Sequence, residues 1–171
     1  MNQKARYLAH AAIIAALYVV LTYLASMLGL ASSAIQVRFS EALTILPFFT
    51  TAAIPGLFVG CLLANLLTGS MPLDILFGSV ATLLGAVGTY LLSRPIKSGL
   101  RPWQKWLTPL PPIIANTLIV PFVLAYVYQL EGTIPYFMLT VGIGEVISCG
   151  VLGLVLQKIL ERYRRQLFPK D

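Results

Sequence analysis

The chain has 171 residues, of which 58% are hydrophobic and only 11% are charged, and its mean hydropathy is +0.84. Soluble domains average about 25% charged residues. So little polar surface excludes an ordinary water-facing globule. The composition predicts an all-α integral membrane protein, folded as a single domain over residues 1–171.

Six apolar segments are candidates for membrane crossings, since a spanning helix needs about 20 mostly apolar residues. They cover about residues 7–30, 41–53, 55–69, 74–93, 108–129 and 134–160. The second and third are short for a full span. A cleaved signal peptide over residues 1–34 is the alternative for the first segment, but its apolar stretch exceeds the about 7 to 15 residues of a signal. We interpret it as a retained helix.

The basic residues predict the orientation, because cytoplasmic loops carry the Lys and Arg excess. Eleven of the 12 fall into three groups that an even number of crossings places on one side. They are Lys4, Arg6, Arg94, Lys97, Arg101, Lys105, Lys158, Arg162, Arg164, Arg165 and Lys170. Both termini and the loop at 94–107 are therefore predicted to be cytoplasmic. This topology explains the pI of about 9.6 without a nucleic-acid partner.

Arg38 is the remaining basic residue, and it stands with Glu41 in "QVRFSEALTILPFF" on the predicted outer side. Asp74 falls in the outer turn before the fourth segment. Glu145 lies about 11 residues, or roughly 16 Å, into the sixth segment, and Asn116 is comparably deep in the fifth. An ionisable group inside the bilayer costs at least about 2.5 to 3.5 kcal/mol, so it normally faces the protein interior on a solute path.

Each of these residues also has a purely structural interpretation. Arg38 and Glu41 could form a surface salt bridge, or Glu41 could only complement a helix dipole. Asp74 could mark a helix start, and Asn116 could hydrogen-bond a neighbouring helix. Glu145 is the hardest to explain in this way, because it needs a buried partner.

The sequence offers little for catalysis or metal binding. His10 is the single histidine, so neither a histidine-based triad nor a multi-histidine metal site can be assembled. Cys61 and Cys149 are interpreted as small buried hydrophobes, and no phosphate loop of the P-loop type is present. An intramembrane enzyme would depend on Glu145 with Ser148. We predict that the protein is not an enzyme and holds neither a metal nor a cofactor.

Small residues form a strip on the first segment, in "AHAAIIAA". Ala11 and Ala15, and likewise Ala12 and Ala16, are spaced four residues apart, which lets another helix approach closely. The strip serves either packing within the chain or docking of a second protein.

Five stretches, taken in order, resemble the QueT family of substrate-binding S components of energy-coupling factor transporters. They are "QVRFSEALTILPFF", "AIPGLFVGCLLANLLTG", "LDILFGSVATLLGA", "PPIIANTLIVP" and "VGIGEVI". The resemblance covers nearly the whole chain. It implies an S-component-like six-helix bundle that captures a queuosine precursor, such as a deazaguanine base or queuine. Its partners would be a coupling membrane protein and two ATPases.

The resemblance also implies an outer binding pocket and docking of the alanine strip onto the coupling protein. A guanine-like edge suits a carboxylate, and its carbonyl suits Arg or an amide. The candidate substrate-binding residues are Gln36, Arg38, Glu41, Asp74, Asn116 and Glu145, with Arg38 and Glu41 as an outer rim above a deeper Glu145 and Asn116. Phe39, Tyr126, Tyr128 and Tyr136 are candidates for stacking. An S component for another vitamin and a stand-alone membrane carrier remain alternatives.

Overall fold

A computed structural model describes residues 2–30, 36–94 and 102–168. The elements are α1 (Gln3–Met27), a 3₁₀ segment (Phe39–Phe48), α2 (Ala53–Leu67), α3 (Pro72–Leu92), α4 (Pro102–Leu107), α5 (Leu110–Tyr126), α6 (Ile134–Glu145), a π segment (Val146–Leu152) and α7 (Gly153–Leu167). All regular structure in these ranges is helical, which confirms the predicted all-α class.

Four helical stretches are long and apolar enough to cross a membrane: Gln3–Met27, Pro72–Leu92, Trp103–Tyr126 and Ile134–Arg164. The 3₁₀ segment and α2 are shorter apolar helices. At about 2.0 Å per residue the first reaches roughly 20 Å, and at about 1.5 Å per residue α2 reaches roughly 22 Å. Each predicted segment therefore corresponds to a helical stretch, but the second and third fall short of the about 30 Å hydrocarbon core.

The bundle has two distinct ends. The start of α1 and the end of α7 define the terminal end, whereas the α2–α3 and α5–α6 connections define the opposite, loop end. At the terminal end the Tyr7 hydroxyl donates to the Thr51 carbonyl at 3.3 Å, and Lys105 Nζ lies 2.7 Å from Glu161 Oε1.

The described basic residues separate between these ends as the sequence predicts. Lys4, Arg6, Arg94, Lys105, Lys158, Arg162 and Arg164 belong to elements at the terminal end. Arg38 lies at the loop end. Lys97, Arg101 and Lys170 fall outside the described ranges. The assignment of the terminal end to the cytoplasm stays a prediction.

Glycine brings α1 against α2 at backbone distance. A Cβ added to Gly56 would lie 2.7 Å from the Ala11 carbonyl oxygen, and one added to Gly60 would lie 3.0 Å from Ala15 Cα. Half of the alanine strip, Ala11 and Ala15, is thus buried within the chain. Ala12 and Ala16 lie on the exposed side of α1.

The 3₁₀ segment is the innermost element of the bundle. It contacts α1, α2, α3, the π segment and α7, and its residues from Ser40 to Phe48 are all buried. Because a 3₁₀ helix repeats every three residues, Glu41 and Thr44 share one face, and Arg38 precedes the segment in an extended conformation. Gly144 lies directly against the Gln36 backbone, where a Cβ would overlap the carbonyl oxygen. Helix α6 therefore approaches the residues that lead into the 3₁₀ segment very closely.

Candidate ligand-binding site

Two buried carboxylates form the centre of a polar cluster between the 3₁₀ segment and the end of α6. Glu41 is 2% exposed and Glu145 is 7% exposed. The Tyr18 hydroxyl donates to Glu41 Oε1, and the Asn116 amide donates to Glu41 Oε2 at 3.4 Å. The donors to Glu41 therefore come from α1 and α5.

The π segment supplies the next layer of this cluster. The Cys149 thiol donates to Glu145 Oε2 at 3.1 Å and lies 3.4 Å from the Glu41 carbonyl oxygen. Ser148 Oγ accepts from the backbone N–H of Arg38 at 3.2 Å. A π turn holds one more residue than an α turn and is frequent at functional sites. Here two consecutive side chains of the π segment, Ser148 and Cys149, reach the 3₁₀ segment.

The distances in this cluster are short enough for a metal ion to be considered. Glu41, Glu145 and Cys149 each offer a ligand atom, and these atoms lie within 4.8 Å of one another. Hydrogen bonds from Tyr18 and Asn116 already engage both carboxylate oxygens of Glu41. Glu41 and Glu145 thus form an acid pair in which each carboxylate accepts hydrogen bonds from neighbouring side chains.

Arg38 connects this acid pair to the loop end. Its guanidinium donates to Gln36 Oε1 at 3.4 Å. Its positive charge acts favourably on both Glu41 and Glu145. Two buried carboxylates in one site repel each other when both are ionised, so a nearby guanidinium offsets part of that repulsion.

A cavity of about 340 Å³ opens at the loop end. Its walls come from α1, α2, α3, α5 and the connections between them. The lining residues are Thr22, Ser26, Gln36, Arg38, Asn65, Thr68, Ser70, Asp74, Val120, Leu124, Tyr128 and Leu130. This lining combines one cation, one carboxylate, several hydroxyl and amide groups, and an apolar wall.

Asp74 is buried at the first turn of α3 and is held by a tyrosine. The Tyr128 hydroxyl donates to Asp74 Oδ2 at 2.8 Å and accepts from the Met71 backbone N–H at 3.3 Å. Burial raises the pKa of the Tyr128 phenol, and the Asp74 carboxylate raises it further. Tyr128 is therefore a protonated donor at neutral pH.

The structure divides the sequence-predicted residues between two layers. Gln36, Arg38 and Asp74 line the cavity, whereas Glu41, Asn116 and Glu145 form the cluster beneath Arg38. The prediction that Glu41 belongs to the outer rim was wrong in position. The 3₁₀ segment is buried in the middle of the bundle, and the Glu41 side chain bonds Tyr18 and Asn116 there.

The aromatic candidates also separate. Tyr128 lines the cavity. Tyr126 is 70% exposed and stacks on Phe122, Tyr136 is exposed, and Phe39 is half-buried. Of these four, Tyr128 alone is among the lining residues.

Sequence reasoning missed several members of the site. Tyr18 and Asn65 were not considered, and Cys149 was interpreted as a buried hydrophobe rather than a hydrogen-bonding thiol. Asn65 carried a usable signal, because it is an amide inside the apolar run "CLLANLL" and such residues are costly in a membrane unless paired. Tyr18 and Cys149 carried no comparable signal.

The comparisons with known proteins agree with this architecture. The family model described as QueT transporter matches residues 8–162. The chain belongs to the QueT transporter family. It is accordingly a multi-pass membrane protein of a transporter family rather than an enzyme. The queuosine precursor transporter QueT of Lactococcus lactis subsp. cremoris (strain MG1363) is a relative, 34% identical over 84 residues. Those residues are 48% of this chain and 49% of the relative, so the match spans about half of each. No solved structure matches.

Proposed function

We propose that this QueT-family chain is the substrate-capture subunit of an ECF-type uptake transporter and binds a queuosine precursor, a deazaguanine base such as queuine, in the loop-end cavity. The observation that carries the proposal is the meeting of Arg38 and Asp74 in one small cavity. The Lactococcus relative, a queuosine precursor transporter, supports the choice of ligand. The predicted topology places this cavity on the outer side, where a nutrient is captured.

The cavity is suited to a small, polar, planar molecule. Its volume of about 340 Å³ lies at the lower end of the range of about 300 to 1,000 Å³ for ligand sites. Asp74 can accept two adjacent N–H groups of a guanine-like edge, and Arg38 or the Asn65 amide can donate to the ring carbonyl. Val120 and Leu124 provide an apolar wall for the ring.

The acid cluster beneath the cavity supports this arrangement indirectly. The Arg38 backbone is fixed by Ser148, and its guanidinium is held by Gln36 and by the charge of the acid pair. We propose that Glu41, Asn116 and Glu145 position Arg38 for the ligand. A preorganised cation costs less to order on binding than a mobile one.

An uptake subunit of this kind needs an energy source, and the sequence contains no P-loop. We propose that a coupling membrane protein and two ATPases supply it. The exposed side of α1 presents Ala5, Ala9, Ala12 and Ala16 as one continuous small-residue face at its terminal-end half. Their spacing follows the period of the helix. This face is the proposed docking surface for the coupling protein.

Ligand titration of the purified chain in lipid nanodiscs tests the binding proposal. Queuine should bind, and Asp74→Asn should weaken binding about tenfold or more, because an N–H group then faces the ligand donors. Glu131→Gln is the matched control, since Glu131 is an exposed carboxylate in the α5–α6 connection. Failure of queuine to bind, or tighter binding of another vitamin, would refute the proposed ligand.

Uptake measurements test the docking surface separately. Ala12→Leu combined with Ala16→Leu should abolish uptake in cells while the isolated chain still binds queuine, because both side chains are exposed. Ala11→Leu combined with Ala15→Leu is the comparison, and it should lower the amount of folded protein because these residues contact α2. Concentrative uptake by liposomes that contain this chain alone would contradict the need for partners.

A further inference from the structure

Tyr128 joins two walls of the cavity that no continuous helix connects. It lies two residues beyond the end of α5, whereas Met71 and Asp74 belong to the start of α3. Its hydroxyl bonds both of them. Tyr128 and Asp74 both line the cavity, and Ser70 and Leu130 lie beside them in the lining. The bridge therefore joins two of the walls that line the cavity.

The α5–α6 connection, which carries Tyr128, is packed against α6 at Gly132. Gly132 has a φ of 155°, and a Cβ there would lie 2.8 Å from the Phe137 ring. Phe137 in turn packs with Val120, Leu124 and Val141 in a buried apolar cluster. Gln129 adopts a φ of 52°, a left-handed conformation that is uncommon for a residue other than glycine. The backbone thus changes direction between Tyr128 and the anchored Gly132.

The bridge itself consists of exchangeable hydrogen bonds. Tyr128 is half-buried and Met71 is exposed, so water can compete for these contacts. The raised pKa of the phenol keeps it a donor at neutral pH. A ligand with N–H groups offers Asp74 equivalent donors, so the carboxylate can exchange Tyr128 for the ligand without remaining unpaired.

We propose that Tyr128 is the gate of the loop-end cavity: its hydrogen bond to Asp74 closes the route to Arg38, and a solute enters or leaves while that bond is broken. The identity of the solute rests on the function proposed above, but the gating itself does not depend on which molecule binds. The gate adds a kinetic role to a tyrosine that was first considered for stacking.

Cysteine accessibility tests the gate without any ligand. Val120→Cys places a thiol of similar size on the cavity wall, and the native Cys61 and Cys149 are each only 1% exposed. In nanodiscs, a membrane-impermeant maleimide should label this cysteine about tenfold faster when Tyr128→Phe is added, the factor expected from losing a hydrogen bond to a charged group. Tyr126→Phe is the matched control, because Tyr126 points away from the cavity onto Phe122.

A double-mutant comparison identifies the partner of the gate. Asp74→Ala should accelerate labelling as Tyr128→Phe does, and the combination should be no faster than either single change, because both break the same bond. An unchanged labelling rate in Tyr128→Phe, or an equal acceleration in Tyr126→Phe, would overturn the gate.

Binding kinetics with queuine separate gating from direct contact. Because the ligand replaces Tyr128 on Asp74, a gate predicts that Tyr128→Phe raises the association rate, leaves the dissociation rate nearly unchanged and so lowers the dissociation constant. A rise in the dissociation rate alone would make Tyr128 a ligand contact and overturn the gate. Accelerated labelling without any queuine binding would support the gate and refute the proposed ligand.

Discussion

Two kinds of helix contact coexist in this bundle. The α1–α2 and α3–α5 contacts are regular α-helices brought together by small residues and proline, as at Gly56 with Ala11 and at Gly85 with Pro112. The 3₁₀ and π segments meet instead through hydroxyl, thiol and backbone carbonyl groups. Regular geometry here serves close packing, whereas irregular geometry gathers polar side chains at one depth.

The largest loss of stability is expected at Gly85, where the α3–α5 contact leaves no room for a side chain. A Cβ at Gly85 would lie 2.6 Å from Pro112 Cα, so Gly85→Leu should lower the free energy of unfolding by about 3 kcal/mol, at the upper end for overpacking. Thermal denaturation in detergent would measure it. Gly142→Ala is the control, since its Cβ would meet Thr117 only at 3.5 Å. Equal losses of unfolding free energy in both variants would show that the close approach at Gly85 is no more sensitive than the looser contact at Gly142.

A somewhat smaller loss is expected when the polar contact is opened without a change of shape. Tyr18→Phe removes the donor to Glu41 Oε1 and should cost about 2 kcal/mol of unfolding free energy, the usual range for a hydrogen bond to a charged group. Tyr23→Phe on the exposed side of α1 should cost little. Stability of Tyr18→Phe equal to that of the parent would mean that the cluster does not depend on this bond.

Gly144 makes a close backbone contact of the kind seen between regular helices, but it lies beside the irregular segments. A Cβ there would overlap the Gln36 carbonyl oxygen, so Gly144→Ala should displace Gln36 and the neighbouring Arg38 and weaken queuine binding about tenfold. In Gly150→Ala the nearest atom would be 3.8 Å away, and binding should persist. If Gly144→Ala bound queuine with the parental affinity, the contact between Gly144 and Gln36 would not be needed to position the site.

The smallest effect is expected within the 3₁₀ segment itself. The Thr44 hydroxyl donates to the Glu41 carbonyl at 2.6 Å, and Thr44→Val should cost about 1 kcal/mol. Thr68→Val removes a similar bond to the Ala64 carbonyl at 2.9 Å, at the exposed end of α2, and should cost less. The reverse order in chemical denaturation would contradict the importance of the irregular segment.

The sequence predicted the crossings well because long apolar stretches are a strong signal. It did not predict the type of helix over residues 39–48 and 146–152, since that depends on what each segment contacts across the bundle. The three-residue spacing of Arg38, Glu41 and Thr44 was visible, but an α-helix accommodates the same spacing nearly as well. For this reason the sequence did not predict that the Glu41 side chain is buried against Tyr18.

The site was predictable to the extent that it is charged. Arg38, Asp74 and Glu145 were identified because charges are rare and costly inside a membrane. Tyr128 was considered only as a stacking ring, since polar tyrosines near membrane interfaces are common. Its bond to Asp74 joins residues 54 positions apart, and no local pattern announces such a contact.

The position of the 3₁₀ segment has a consequence for biosynthesis. Part of its polar surroundings is supplied by residues made late, because the Arg38 N–H bonds a side chain 110 positions further along and Thr44 one 105 positions further along. A ten-residue helix with a carboxylate cannot serve as an independent membrane span. The segment therefore reaches its final place only after the π segment has been made, and the Arg38 backbone is fixed in the proposed site no earlier.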